Sequence, residues 1–185
     1  MKGVIICYFL LFTFHFSSAQ QFGGNPPSTK WRQVNTDTVR VIFPKGWDVQ
    51  AQRIATIVHQ LQKQYAHSIG DSIRKINVVL QDQTLFSNAY VGLAPYRSEF
   101  YLTPPQNAFT LGAIRWTDNL AVHEFRHVQQ YSNFNKGLSR LASFFLGEQG
   151  RAVANAAAIP DWFFEGDAVF NETKLTRQGR GTLPL

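Results

Sequence analysis

The apolar period of this 185-residue chain changes near Thr117, and that change restricts what it can fold into. Upstream, "DTVRVIFP" alternates Val39, Val41 and Phe43 against polar neighbours, the period of a strand, and Pro44 ends it. "KINVVLQD", "SNAYVGLAP" and "SEFYLTPP" are further extended segments, the last bounded by Pro104 and Pro105. Between the first two, Val49, Ile54, Ile57, Val58, Leu61 and Tyr65 recur at three- and four-residue steps, which predicts an amphipathic helix stopped by Gly70. From Thr117 almost to the end the period is helical. Strand-rich segments first and helices afterwards predict an α+β domain. No internal repeat is visible.

The first residues belong to a different problem. "MKGVIICYFLLFTFHFSSAQ" opens on basic Lys2, runs apolar from Val4 to Phe16, and ends in small Ser17, Ser18 and Ala19. This is the layout of a cleavable secretory signal over 1–19, so export to periplasm, cell surface or medium is expected. A flexible Gly/Pro-rich lead-in over 20–36, a domain over 37–176 and a tail over 177–185 follow, with further domains of a longer chain expected beyond the tail. The sole cysteine, Cys7, lies in the signal. The mature domain must therefore rely on its core, and on any metal it holds, rather than on disulfides. A hydrophobic content of 44% excludes disorder as the reading of the domain. The net charge of +6 falls by one with Lys2, and the rest is scattered. No basic stripe with interleaved base-stacking aromatics is present, so no nucleic-acid partner is expected.

"AVHEFRHVQQY" carries the chemistry. A helix capped by Thr117 or Asp118 would set His123 and His127 one turn apart, about 6 Å along its axis, on one side with Leu120 and Tyr131. Val122, Phe125 and Gln129 would form most of the core side. Glu124 follows His123 at about 100° around the helix, near enough to reach water on a shared ion. A polar helix facing solvent would explain the charges but not Leu120 and Tyr131 beside the histidines.

Catalytic zinc takes three protein ligands and keeps a fourth position open, so a third must come from elsewhere. His59 and His67 sit on the upstream helix and read as surface or packing residues. A carboxylate remains, and "IPDWFFEGDAVFNET" offers Glu165 one turn into a second helix that Pro160 opens and Asp161 suits electrostatically. Trp162, Phe163, Phe164, Ala168, Val169 and Phe170 are expected to bury that helix against the first, with Gly166 permitting close approach. Asp167 lies about 200° around from Glu165 and cannot share its ion. Arg126 is expected to pair with a carboxylate of a neighbouring segment. Tyr101 and Tyr131 are weak oxyanion candidates, and Arg177 and Arg180 read as a solvated tail.

At these residues the chain resembles the gluzincin group of zinc metallopeptidases. His-Glu-x-x-His is followed by Trp162, Glu165, Gly166, Ala168 and Glu172, which match the Trp-x-x-Glu-Gly-x-Ala-x-x-x-Glu form of the aminopeptidase-N-like branch. The resemblance covers about 117–173 and also touches a branch of exported bacterial proteins. It implies a zincin-like, peptidase-MA-like fold: a mixed sheet and amphipathic helix, then a helical part. It further implies Zn2+ on His123, His127 and Glu165, Glu124 as general base toward a metal-activated water, and Glu172 steadying a ligand. "SEFYLTPP" would be the edge strand that pairs with a peptide or protein substrate. The Gly-Ala-Met-Glu-Asn segment that holds a substrate's amino terminus in that branch is missing. A different reading is a peptidase-like module, catalytically weak or inactive, that keeps its zinc and recognises a protein partner at the cell surface.

Overall fold

A computed structural model describes residues 24–70, 73–107 and 114–182; the expected signal over 1–19 lies outside them. The chain is α+β. Its elements are strands β1 (Trp31–Asn35) and β2 (Val39–Pro44), helix α1 (Asp48–Tyr65), strands β3 (Ile76–Gln81), β4 (Ala89–Leu93) and β5 (Tyr96–Tyr101), and helices α2 (Trp116–Asn133), α3 (Leu138–Ala158) and α4 (Asp161–Thr176), closed by a 3₁₀ turn at Arg180–Thr182.

The five strands form one mixed sheet in the order β1-β2-β3-β5-β4. β2, β3 and β5 run parallel, and α1 makes the crossover from β2 to β3 that a parallel pair requires. β1 and β4 flank them antiparallel. Alternation sends Val39, Val41 and Phe43 of β2, Ile76, Val78 and Leu80 of β3, and Phe100 of β5 to one face, all at most 2% exposed. The register aligns Val41 with Val78 and Leu80 with Phe100, so these side chains lie in continuous rows. Ile54, Ala55, Val58 and Leu61 of α1 and Ala121, Val122, Phe125 and Val128 of α2 join the same core.

Helix α2 is the central helix, packed against α1, α4, β4 and β5. It therefore has no solvent face: Val122 and Phe125 are buried on one side, and His123, Glu124 and His127 on the other. It starts at Trp116 after Arg115, with no side-chain cap. Asp118, an expected cap, instead receives both ends of the Arg53 guanidinium from α1 at 2.7 Å each.

Four expectations change. The lead-in over 20–36 includes a strand, since Trp31–Asn35 pairs along its length with β2. "SEFYLTPP" holds an interior strand, because the tight β4–β5 hairpin folds β4 back outside β5 and makes β4 the edge. Helix α4 seats only Phe164 and Ala168 among its apolar residues fully, while Trp162 and Phe170 are 74% and 67% exposed. A Cβ built on Gly166 would meet nothing within 4 Å, so no close helix approach depends on it.

Removing Phe100, which is 1% exposed, should cost about 3–5 kcal/mol as Phe100→Ala, because both transfer and cavity terms apply. Phe170→Ala, on open surface, should change stability by under about 0.5 kcal/mol. Urea unfolding followed by circular dichroism checks both.

Candidate metal centre

Two helices running in opposite directions build the site. Along α2, His123, His127 and Gln130 face, in that order, Glu172, Glu165 and Phe164 of α4. The carboxylate of Glu165 lies between the imidazoles, with Oε2 at 3.3 Å from His123 Nε2 and Oε1 at 3.3 Å from His127 Nε2. One ligand atom from each of His123, His127 and Glu165 can be chosen so that all lie within 4.8 Å of one another, close enough for one cation. The rings stand nearly perpendicular at 80°, centroids 5.0 Å apart.

Both outward nitrogens are occupied. His123 Nδ1 lies 3.1 Å from Glu172 Oε2, and His127 Nδ1 lies 2.8 Å from Gln130 Oε1. An acceptor at Nδ1 keeps a proton there, so Nε2 is the nitrogen that can exchange its proton for a metal, the arrangement that metal-binding histidines generally show.

Glu172 is completely buried and satisfied by its neighbours. Besides His123, its Oε1 accepts the Arg180 backbone N–H at 2.8 Å and its Oε2 accepts Arg180 Nε at 3.2 Å. Arg180 is thus part of the site, not of a solvated tail. Helix α4 ends on Arg177 in the left-handed conformation, φ 59°. The chain then turns back so tightly that a Cβ on Gly179 would fall 2.6 Å from the Thr173 nitrogen. The Arg180 guanidinium also comes within 2.7 Å of His123 Nδ1. A ring nitrogen that donates to Glu172 has no lone pair to offer, so this contact is a close approach imposed by their shared carboxylate.

Glu124 is 4% exposed, and its Oε2 has no partner among the described residues. A buried carboxylate oxygen without a donor is costly unless water or an ion meets it. It borders a cavity of about 490 Å³ whose wall includes His123, His127, Glu165, Tyr131, and Tyr90 and Val91 of the edge strand. An orphaned acidic oxygen beside an imidazole–imidazole–carboxylate donor set fits a divalent cation with an open coordination position.

The electrostatics follow from burial and proximity. Burial alone would lower His123, but hydrogen bonds to Glu165 and Glu172 outweigh it and carry the imidazole to about 9. With no ion between them, the Nε2 atoms of His123 and His127, each 3.3 Å from a Glu165 oxygen, carry protons toward it and hold Glu165 far below the usual carboxylate range. Desolvation pushes Glu124 up, against the pull of the two imidazoles. Glu172, despite its burial, is held down by His123 and Arg180. Desolvation, reinforced by Glu165 and Glu124, raises the Tyr131 phenol to about 12.

Other sequence-derived expectations divide. Asp167 lies outside the donor group and takes Arg126 in a two-pronged ion pair at 2.7 and 2.9 Å, so Arg126 finds its carboxylate on the neighbouring helix. His59 and His67 are exposed and outside the donor group. Tyr101 does not line the cavity. Gln130 was not anticipated, although its place three residues after His127 puts it on the same side of the helix. No family model, curated protein or solved structure matches this chain.

In protein stripped of metal by chelator, protonated His123 stabilises the fold, because about 9 lies above its ordinary 6.5. That contribution is complete below pH 6.5 and disappears as pH rises through 9. Thermal melts of stripped protein should therefore fall by a few degrees across that window. A cation held in place of that proton would remove this fall.

Proposed function

We propose that this chain is an exported zinc-dependent metallopeptidase domain with a zincin-like, gluzincin-type fold. The observation that carries this is the convergence of His123 Nε2, His127 Nε2 and the Glu165 carboxylate beside the unpartnered oxygen of Glu124. His123, His127 and Glu165 hold Zn2+, and Glu172 keeps His123 oriented. Export rests on the leader-like segment over 1–19, and the match of Trp162, Glu165, Gly166, Ala168 and Glu172 to the gluzincin pattern supports the family reading.

Zinc bound there supplies Lewis acidity, which polarises a carbonyl and makes water a better acid. Glu124 takes the proton of the attacking water and delivers it to the leaving amine. Burial raises its affinity for protons, in the direction that a proton-accepting carboxylate needs. The substrate is a peptide or protein in extended form. The outer edge of β4, which no other described strand pairs and whose residues Ala89, Tyr90 and Val91 border the cavity, offers main-chain pairing to it. This assigns to β4 the role expected of "SEFYLTPP".

A different class of function is a zinc-holding module without hydrolysis that binds a protein partner at the cell surface. Its support is the apolar surface of α3 and α4, where Phe144, Phe145 and Trp162 are 81%, 71% and 74% exposed.

A Glu124→Gln variant separates these readings. For a peptidase it should retain stoichiometric zinc and lose hydrolysis of casein by about 10²–10⁴-fold. Equal casein cleavage by variant and parent would remove Glu124 from the chemistry. A parent that holds zinc and cleaves nothing would favour the binding module.

A further inference from the structure

Gln130 is fully buried, and the roles of its amide atoms are not interchangeable. Its Nε2 lies 3.1 Å from the Phe164 carbonyl oxygen and 2.8 Å from Asp167 Oδ2. Both neighbours only accept, so the amide nitrogen must face them and use both its hydrogens. The carbonyl oxygen must then face His127 Nδ1, at 2.8 Å. A carbonyl oxygen only accepts, so His127 Nδ1 carries a proton, and Nε2, which faces Glu165 and the cavity, is the nitrogen left for a cation.

The two groups that fix the amide flank Glu165 on α4. Asp167 is itself immobilised by the Arg126 guanidinium, which also donates to Ser68 Oγ at 2.8 Å and to Gln129 Oε1 at 3.2 Å. A flip of the Gln130 amide would set N–H against N–H at His127 and oxygen against oxygen at Phe164 and Asp167. One side chain thus sets the ring of one ligand and clamps the turn that carries another.

We propose that Gln130 is a positioning residue that presets His127 and the Glu165 turn for metal binding. The proposal rests on His127 and Glu165 being metal ligands. The two imidazoles are held differently: His123 by the anionic Glu172, His127 by a neutral amide anchored through Asp167 to Arg126. Gln130 therefore selects a tautomer without adding a negative charge next to Asp167.

The test compares parent, Gln130→Leu and the near-isosteric Gln130→Met, each as the full chain. The readouts are zinc affinity by chelator competition and the visible spectrum of the Co2+ form. Both variants should weaken zinc by about 10–100-fold and alter the Co2+ bands. If Gln130→Leu fails to fold, Gln130→Met decides alone: weak zinc with altered bands in a folded protein supports the role, and parental affinity and spectrum overturn it. A Gln130→Leu protein with parental affinity and spectrum also overturns it. A parent that binds no zinc removes the metal reading itself, a result separable from either.

Discussion

The contact of Glu165 with His123 and His127 is the constraint that the rest of the structure accommodates. Helix α2 is surrounded, so its imidazoles are only 6% and 5% exposed and the adjacent Glu124 only 4%. Polar and ionisable groups so deeply placed destabilise a fold unless partners replace the lost water. Helix α4 supplies those partners: carboxylates at Glu165 and Glu172, and through Asp167 a fixed amide at Gln130. Apolar contact contributes comparatively little to α4, which fully buries only Phe164 and Ala168 among its apolar residues. The pairing of the two helices is chiefly a polar match, and a cation at its centre would neutralise what is otherwise a concentration of carboxylate charge.

The sheet and α1 make this arrangement tolerable. Continuous rows of Val, Ile, Leu and Phe on one face give α2 a rigid apolar seat through Val122, Phe125 and Val128. Rigidity on that side fixes where His123 and His127 point on the other. The hairpin that places β4 outside β5 brings the outermost of the described strands to the same cavity. The imidazole–imidazole–carboxylate group, Glu124 and the outer strand thus share one cavity wall.

Much of this was legible in the sequence, for identifiable reasons. Period-two alternation gave β2 and β3, three- and four-residue steps gave α1, and the His-Glu-x-x-His spacing gave the two imidazoles and Glu124. Glu165 and Glu172 came from a pattern rather than from periodicity, and both lie beside the histidines. What stayed hidden depends on distant contacts. "WRQVN" is mostly exposed and becomes a strand only by pairing with β2. Interior and edge strands have the same local alternation, so the place of β5 could not be read from its residues. Gln130 and Arg180 have ordinary polar surroundings in sequence, and only the crossing of α2 with α4 and the tight turn at Gly179 bring them to the imidazoles. The aromatic run of α4 misled because its residues look like core, yet Trp162 is open to solvent.

Diffraction from crystals of zinc-loaded protein at the zinc absorption edge tests the central claim most directly. The expected result is one anomalous peak per chain, about 2.0–2.2 Å from His123 Nε2, His127 Nε2 and a Glu165 oxygen. A peak elsewhere, or one bonded through either Nδ1 with Glu165 turned to solvent, would contradict the account.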